Sequence, residues 1–103
     1  MAFVDLGPLA NLPDAAGIAV TFERRRLAVF RCGDEVFVVD DYCPHRGFPL
    51  HDGPIAAAQV RCRTHGSVFD LRTGEVLRGP ARTGVASYPV EVVDGNVRVE
   101  LPD

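Results

Sequence analysis

Apolar residues recur at every second position through much of the chain. Ile18, Val20 and Phe22 alternate with smaller or polar residues, Leu27 and Val29 repeat the pattern, and Val36 and Val38 follow. Near the C-terminus, Val90 and Val92 precede Asp94-Gly95, and Val97, Val99 and Leu101 come after it. A period of two puts alternate side chains on one face of a strand. Asp-Gly between two such runs signals a hairpin, because the central residues of a type I′ turn both need positive φ. Gly33-Asp34 marks another hairpin, between residues 28–31 and 35–39. No window has a helical period, and Pro54 and Val60 limit the short alanine run between them to a turn or less. The pattern predicts an all-β fold, a sandwich or small barrel of short antiparallel strands.

The middle third breaks the pattern. Residues 42–84 are rich in Gly, Pro, Arg, Cys and His and poor in alternation, apart from Gln59-Val60-Arg61, which reads as a short strand. A long irregular region within so small a domain needs something to organise it.

Composition narrows the function classes. The 103 residues suit one domain with a small core, and 47% hydrophobic with 24% charged residues is a globular composition. All 11 basic residues are arginine, against 14 Asp and Glu, for a formal net charge of −3. That balance argues against a general nucleic-acid binder, since phosphate contacts require a basic surface. The Arg24-Arg25-Arg26 run reads as a solvated hairpin tip. No stretch approaches the roughly 18 apolar residues of a membrane helix. The N-terminal residues lack a basic, signal-like start, which leads us to expect a cytoplasmic protein.

Three cysteines make a poor disulfide framework. Two of them stand beside histidines, in Cys43-Pro44-His45 and Cys62-Arg63-Thr64-His65, with 16 residues between His45 and Cys62. Each segment offers one thiolate and one imidazole, and Gly47 and Gly66 permit tight loops whose amides can approach a bound anion or sulfide. Two thiolates and two imidazoles suit a structural zinc ion. They equally suit a [2Fe–2S] cluster with mixed ligation, where the thiolates hold one iron and the imidazoles the other. Zinc sites usually group like ligands in one knuckle, whereas here each loop carries one of each. A zinc-stabilised β-domain that only binds a partner is the alternative from a different functional class.

The run Cys-Pro-His-Arg-Gly-Phe-Pro-Leu-His-Asp-Gly at 43–53, followed by Cys-Arg-Thr-His-Gly-Ser-Val-Phe-Asp-Leu-Arg-Thr-Gly at 62–74, resembles the Rieske-type [2Fe–2S] ferredoxin family. Gly79-Pro80-Ala81 matches that family's proline-containing loop, and the likeness covers nearly the whole chain. It implies a single Rieske domain over 1–103, built of small antiparallel sheets in a sandwich, with a cluster-binding subdomain at about 42–84 formed from two loops. It further implies one [2Fe–2S] cluster per chain, with Cys43 and Cys62 on the inner iron and His45 and His65 on the outer one. Around them the resemblance assigns Arg46, Gly47, Gly66, Ser67, Phe69 and Pro80 to the cluster's surroundings, with Pro80 as a shield. Phe48 and Leu50 form an apolar collar for docking in this reading.

The chain also departs from its relatives. Quinol-oxidising Rieske proteins have a bracing disulfide whose two positions are Phe48 and Thr64 here, so the likeness is to the ferredoxins. Thr64 is smaller than the residue common there, which predicts easier solvent access to His65. Ser67 matches a hydroxyl donor of high-potential relatives, but Phe69 stands where they have tyrosine. Cys32 is expected to be a free, non-ligating thiol and His51 a turn or surface histidine. The resemblance implies a one-electron carrier, not an enzyme. It would receive electrons from an NAD(P)H-dependent flavin reductase and pass them to a terminal ring-hydroxylating dioxygenase in aromatic hydrocarbon catabolism. The alternative role is the small subunit of an NAD(P)H-dependent nitrite reductase. A monomer or weak oligomer is expected, and a carrier of net charge −3 is expected to meet a basic face on its partners.

Overall fold

The computed structural model describes residues 2–102, whose strands form three antiparallel sheets. The first has the order β1-β11-β10, from β1 (Ala2–Pro8), β10 (Val90–Val93) and β11 (Asn96–Leu101). The second is β2-β3-β4-β9, from β2 (Ala16–Phe22), β3 (Arg25–Cys32), β4 (Glu35–Asp40) and β9 (Ser87–Tyr88). The third is β5-β6-β7-β8, from β5 (Ile55–Ala56), β6 (Gln59–Arg61), β7 (Val68–Asp70) and β8 (Val76–Arg78). One short 3-10 turn, Leu9–Asn11, is the only helical segment among the described residues.

The second sheet is the middle layer, which explains a feature that simple alternation does not. Positions 27–30 and 36–39 are buried without interruption. Leu27, Val29, Val36 and Val38 face one way and pack with Val97, Val99 and Leu101 of β11. Ala28, Phe30, Phe37 and Val39 face the other way and pack with Cys43, Leu50, Val60, Cys62, Phe69, Leu71 and Ala81. A strand covered on both faces reads as a continuous apolar run. The alternation of Leu27 and Val29 is therefore half of the pattern. Each fully buried Leu or Phe here contributes about 2–3 kcal/mol of transfer free energy.

The turns follow local chemistry. Asp94 and Gly95 have φ of 52° and 79°, the signature of a type I′ turn. The alanine run holds more than a turn: Ala57 (φ 52°) and Ala58 (φ 59°) close a tight hairpin between β5 and β6. In the arginine run only Arg24 lies in the turn. Arg25 and Arg26 begin β3, and Arg25 is half-buried with its guanidinium over the Tyr88 ring and against the Tyr88 hydroxyl. The expected solvated tip is thus a strand start, because Arg25 pairs with Phe22 across the hairpin. The N-terminus, to which the pattern assigns no element, forms β1 along β11.

Candidate metal centre

Two loops of the third layer are built to one plan. In the first, the Cys43 amide donates to the Phe48 carbonyl (2.8 Å) and the Gly47 amide to the Cys43 carbonyl (2.7 Å). In the second, the Cys62 amide donates to the Ser67 carbonyl (2.7 Å) and the Gly66 amide to the Cys62 carbonyl (2.9 Å). Gly47 and Gly66 close these turns at φ of 78° and 83°, where a Cβ is disfavoured. At Gly47 a Cβ would also press on the Tyr42 ring, 3.1 Å away. The histidine is the third residue of one loop and the fourth of the other, so equal scaffolds aim their imidazoles from different positions.

Three clamps brace the loops, one of them from one loop region to the other. The buried Asp41 carboxylate accepts from the amides of Leu50 (2.7 Å) and His51 (2.8 Å) through Oδ1, and its Oδ2 lies 2.7 Å from His51 Nδ1. The Arg63 guanidinium donates twice to the Asp52 carbonyl, at 3.1 and 2.7 Å. From a third segment, the Ala81 amide donates to Ser67 Oγ at 2.9 Å, deep in the interior. That bond leaves the Ser67 hydroxyl proton free to be donated elsewhere.

The four metal-ligand candidates are sorted by type and depth. Cys43 and Cys62 are both 1% exposed, are not joined in a disulfide and pack in the same core. Burial pushes the Cys43 thiol up, while the amides of His45 and Arg46, aimed at its sulfur, pull it down. The imidazoles lie outward, edge to face, with ring centroids 4.8 Å apart. His65 is exposed and His45 half-buried. The Nδ1 atom of His45 is buried and has no hydrogen-bond partner. An orphaned buried acceptor, two buried thiols and an imidazole pair fit the donor set a two-iron cluster would need: sulfur for one metal, nitrogen for the other. Among the described residues, no three His, Cys, Asp or Glu side chains are arranged to hold a single metal ion.

The surroundings correct parts of the sequence reading. Leu50 is fully buried in the core beneath the loops, so it cannot serve as a docking collar; its amide is held inside by Asp41. Phe48, 41% exposed with its ring 5.8 Å from His65, keeps that position alone. His51 lies in a turn, as expected, with its ring tied to Asp41. Pro80 is exposed, and its neighbour Ala81 makes the buried contact to Ser67. Phe69 is fully buried and packs in the same core as both cysteines. Thr64 and His65 are exposed, as the small Thr64 side chain suggests. Cys32, half-buried at the end of β3, packs against the same core, and burial pushes its thiol up. Asp41 escaped the sequence reading, although an acid two residues before Cys43 was its signal.

Comparisons with known proteins point the same way. The Rieske [2Fe-2S] domain model matches residues 2–89. The anthranilate 1,2-dioxygenase ferredoxin subunit of Burkholderia cepacia is 33% identical over 93% of this chain and 89% of its own length. The ferredoxin of carbazole 1,9a-dioxygenase from Nocardioides aromaticivorans IC177 superimposes with a TM-score of 0.90 at 27% identity, covering 96% of this chain and 97% of that one. A Mycobacterium tuberculosis protein described as an NADH-dependent nitrite reductase small subunit superimposes with a TM-score of 0.85 at 24% identity, over 95% and 93% of the two chains; this is a likeness of fold.

Proposed function

Because the chain belongs to the Rieske [2Fe–2S] domain family and carries one such cluster, we propose that Cys43 and Cys62 hold its inner iron and His45 and His65, through Nδ1, its outer iron. The cluster supplies reversible one-electron chemistry when bound. The protein's part is to hold the thiolates in a dry core, keep the imidazole edge at the surface, and aim donors at the sulfurs. The amides of His45 and Arg46 serve Cys43. The free proton of the Ser67 hydroxyl is the further donor, with Ala81 holding its oxygen in place. Phe69 contributes bulk and no hydroxyl.

The function these parts support is a ferredoxin. It takes one electron from an NAD(P)H-fed flavin reductase and delivers it to a terminal ring-hydroxylating dioxygenase in the cytoplasm, with no chemistry on the aromatic substrate itself. The observation that carries this reading is the sorted donor set, sulfur buried and imidazole at the surface, on a chain whose relatives are named as dioxygenase ferredoxins. Among the described residues no helix is long and apolar enough to cross a membrane. The deciding measurement is the midpoint potential of anaerobically purified protein together with its metal content. We expect a one-electron wave toward the low end of the Rieske range, roughly −150 mV. A colourless protein holding one zinc and no acid-labile sulfide would overturn the proposal.

A further inference from the structure

The formal charge of −3 is unevenly spread. Residues 42–84 hold six arginines against three carboxylates (Asp52, Asp70 and Glu75), a formal +3, while the rest of the chain holds five arginines against eleven carboxylates, a formal −6. Asp41, bonded to Leu50 and His51, and Glu35, bonded to Arg72, lie against that segment and reduce its formal excess to about +1; the arginine excess still falls on the part of the chain that presents the imidazoles.

Four of the six arginines of that end are free to act outward. Arg72 is spent on Glu35 through two hydrogen bonds, and Arg63 is anchored to Asp52. Arg46, Arg61, Arg78 and Arg82 are exposed, and among the described residues no carboxylate pairs with any of them. Their positions surround the cysteine loops. Arg46 adjoins His45 in the first loop. Arg82 follows Ala81, which is bonded to Ser67 of the second loop. Arg61 and Arg78 stand on either side of Val68 in the ladder β6-β7-β8, one residue before Cys62 and at the strand leaving the second loop. Two exposed aromatic side chains belong to the first loop and its approach, Phe48 beside the His65 ring and Tyr42, 49% exposed, under Gly47. An apolar centre within a charged rim is the anatomy of a protein interface.

We infer that the imidazole edge, with Phe48 at its centre and Arg46, Arg61, Arg78 and Arg82 around it, docks on an acidic surface of the electron-transfer partner. This rests on the carrier function proposed above, and it reverses the expectation drawn from net charge. At close approach the partner faces the unpaired arginines of this end more than the carboxylates of the other sheets, because salt screens exposed charges over a Debye length of about 8 Å at physiological strength. The negative remainder of the chain then acts as an orienting tail: in an acidic partner's field it turns away, so that the basic, cluster-bearing end leads.

Stopped-flow oxidation of the reduced holoprotein by small inorganic one-electron complexes, one anionic and one cationic, tests the face without needing the natural partner. We expect the rate with the anionic complex to fall roughly fivefold as salt rises from low to physiological levels, and the rate with the cationic complex to rise. Net charge alone demands the opposite signs. The double substitution Arg46→Ser with Arg82→Ser should flatten both slopes. Val92→Glu with Val93→Glu, at exposed positions of β10, makes the same change in net charge and should leave them as they were. The cluster's visible spectrum checks that each variant is loaded. If the anionic rate rises with salt, or if the β10 pair shifts the slopes as much as the arginine pair, the docking assignment is wrong while the carrier function stands. A holoprotein with no reversible one-electron wave removes the carrier function itself.

Discussion

The strands that enclose the aliphatic core, β1 to β4 and β11, run six to eight residues, whereas β5 to β8, which carry the cysteine loops, have two or three. The first group is held by long ladders and by Leu27, Val29, Val38, Val97 and Val99, a core of hydrocarbon alone. The second has little ladder to rely on. Its core includes two thiols, and its shape depends on reciprocal loop bonds and on the single carboxylate of Asp41. Short strands with few pairings are marginal by themselves. The contrast is between a half held by apolar burial and long ladders and a half held by loop hydrogen bonds and one buried carboxylate, which the proposed cluster would complete.

The largest effect that could break this comparison is loss of the cluster. Cys62→Ser should strip the iron and lower hydrogen-exchange protection in β6 and β7 by about a thousandfold, while β3 and β11 keep theirs. Uniform loss across all three sheets would show one cooperative unit and erase the distinction. A matched pair of core truncations comes next. Leu27→Ala and Leu50→Ala each remove a fully buried leucine and should cost about 2–5 kcal/mol in denaturant unfolding. Only the second should bleach the cluster absorbance before global unfolding.

Ser67→Ala sharpens the role of the loop donors. Losing a hydrogen bond to a charged acceptor is worth about 1.5–3 kcal/mol, so the midpoint potential should fall by roughly 65–130 mV with little change in thermal stability of the sandwich. An unchanged potential assigns Ser67 to closing the turn against Ala81. A smaller, opposite effect is expected at the β5–β6 hairpin. Ala57 and Ala58 both occupy the left-handed region, so Ala58→Gly should stabilise the cluster-bearing half by about 1 kcal/mol, read as a higher denaturant midpoint.

An effect confined to alkaline pH lies in the other half. Burial and the Asp40 carboxylate beside it push Tyr88 up from 10.0 to about 12. A folded-state value above the unfolded one means that the folded form keeps its proton longer. The associated stability is complete below pH 10 and is lost as pH rises from 10 toward 12. Tyr88→Phe should therefore flatten the alkaline fall in stability, measured by urea unfolding at pH 9 and 11, and leave the cluster spectrum alone.

The hairpins at Gly33-Asp34 and Asp94-Gly95, the all-β class and the two Cys/His loops were readable because each rests on neighbouring residues: a turn needs positive φ at particular positions, and a ligand loop needs its glycine a few residues on. The proposed ligands stood out for the same reason, as four soft or imidazole donors crowded into two short segments. Leu50 was misread as a surface residue because the loop sequence around it is polar; its burial depends on Asp41 seizing its amide from nine residues away. The double-faced burial of β3 and β4 likewise depends on which sheets cover them.

Sequence alone thus determined the donor chemistry, the turns and the strand class, all of which arise from interactions among residues close along the chain. The tertiary structure decided the depth at which each donor sits, the partners of Asp41 and Ser67, and the sign of the charge around the imidazole edge. Net charge sums over residues regardless of place, but salt screens the field of an exposed charge over about 8 Å at physiological strength. Only the folded chain therefore settles which charges a partner meets.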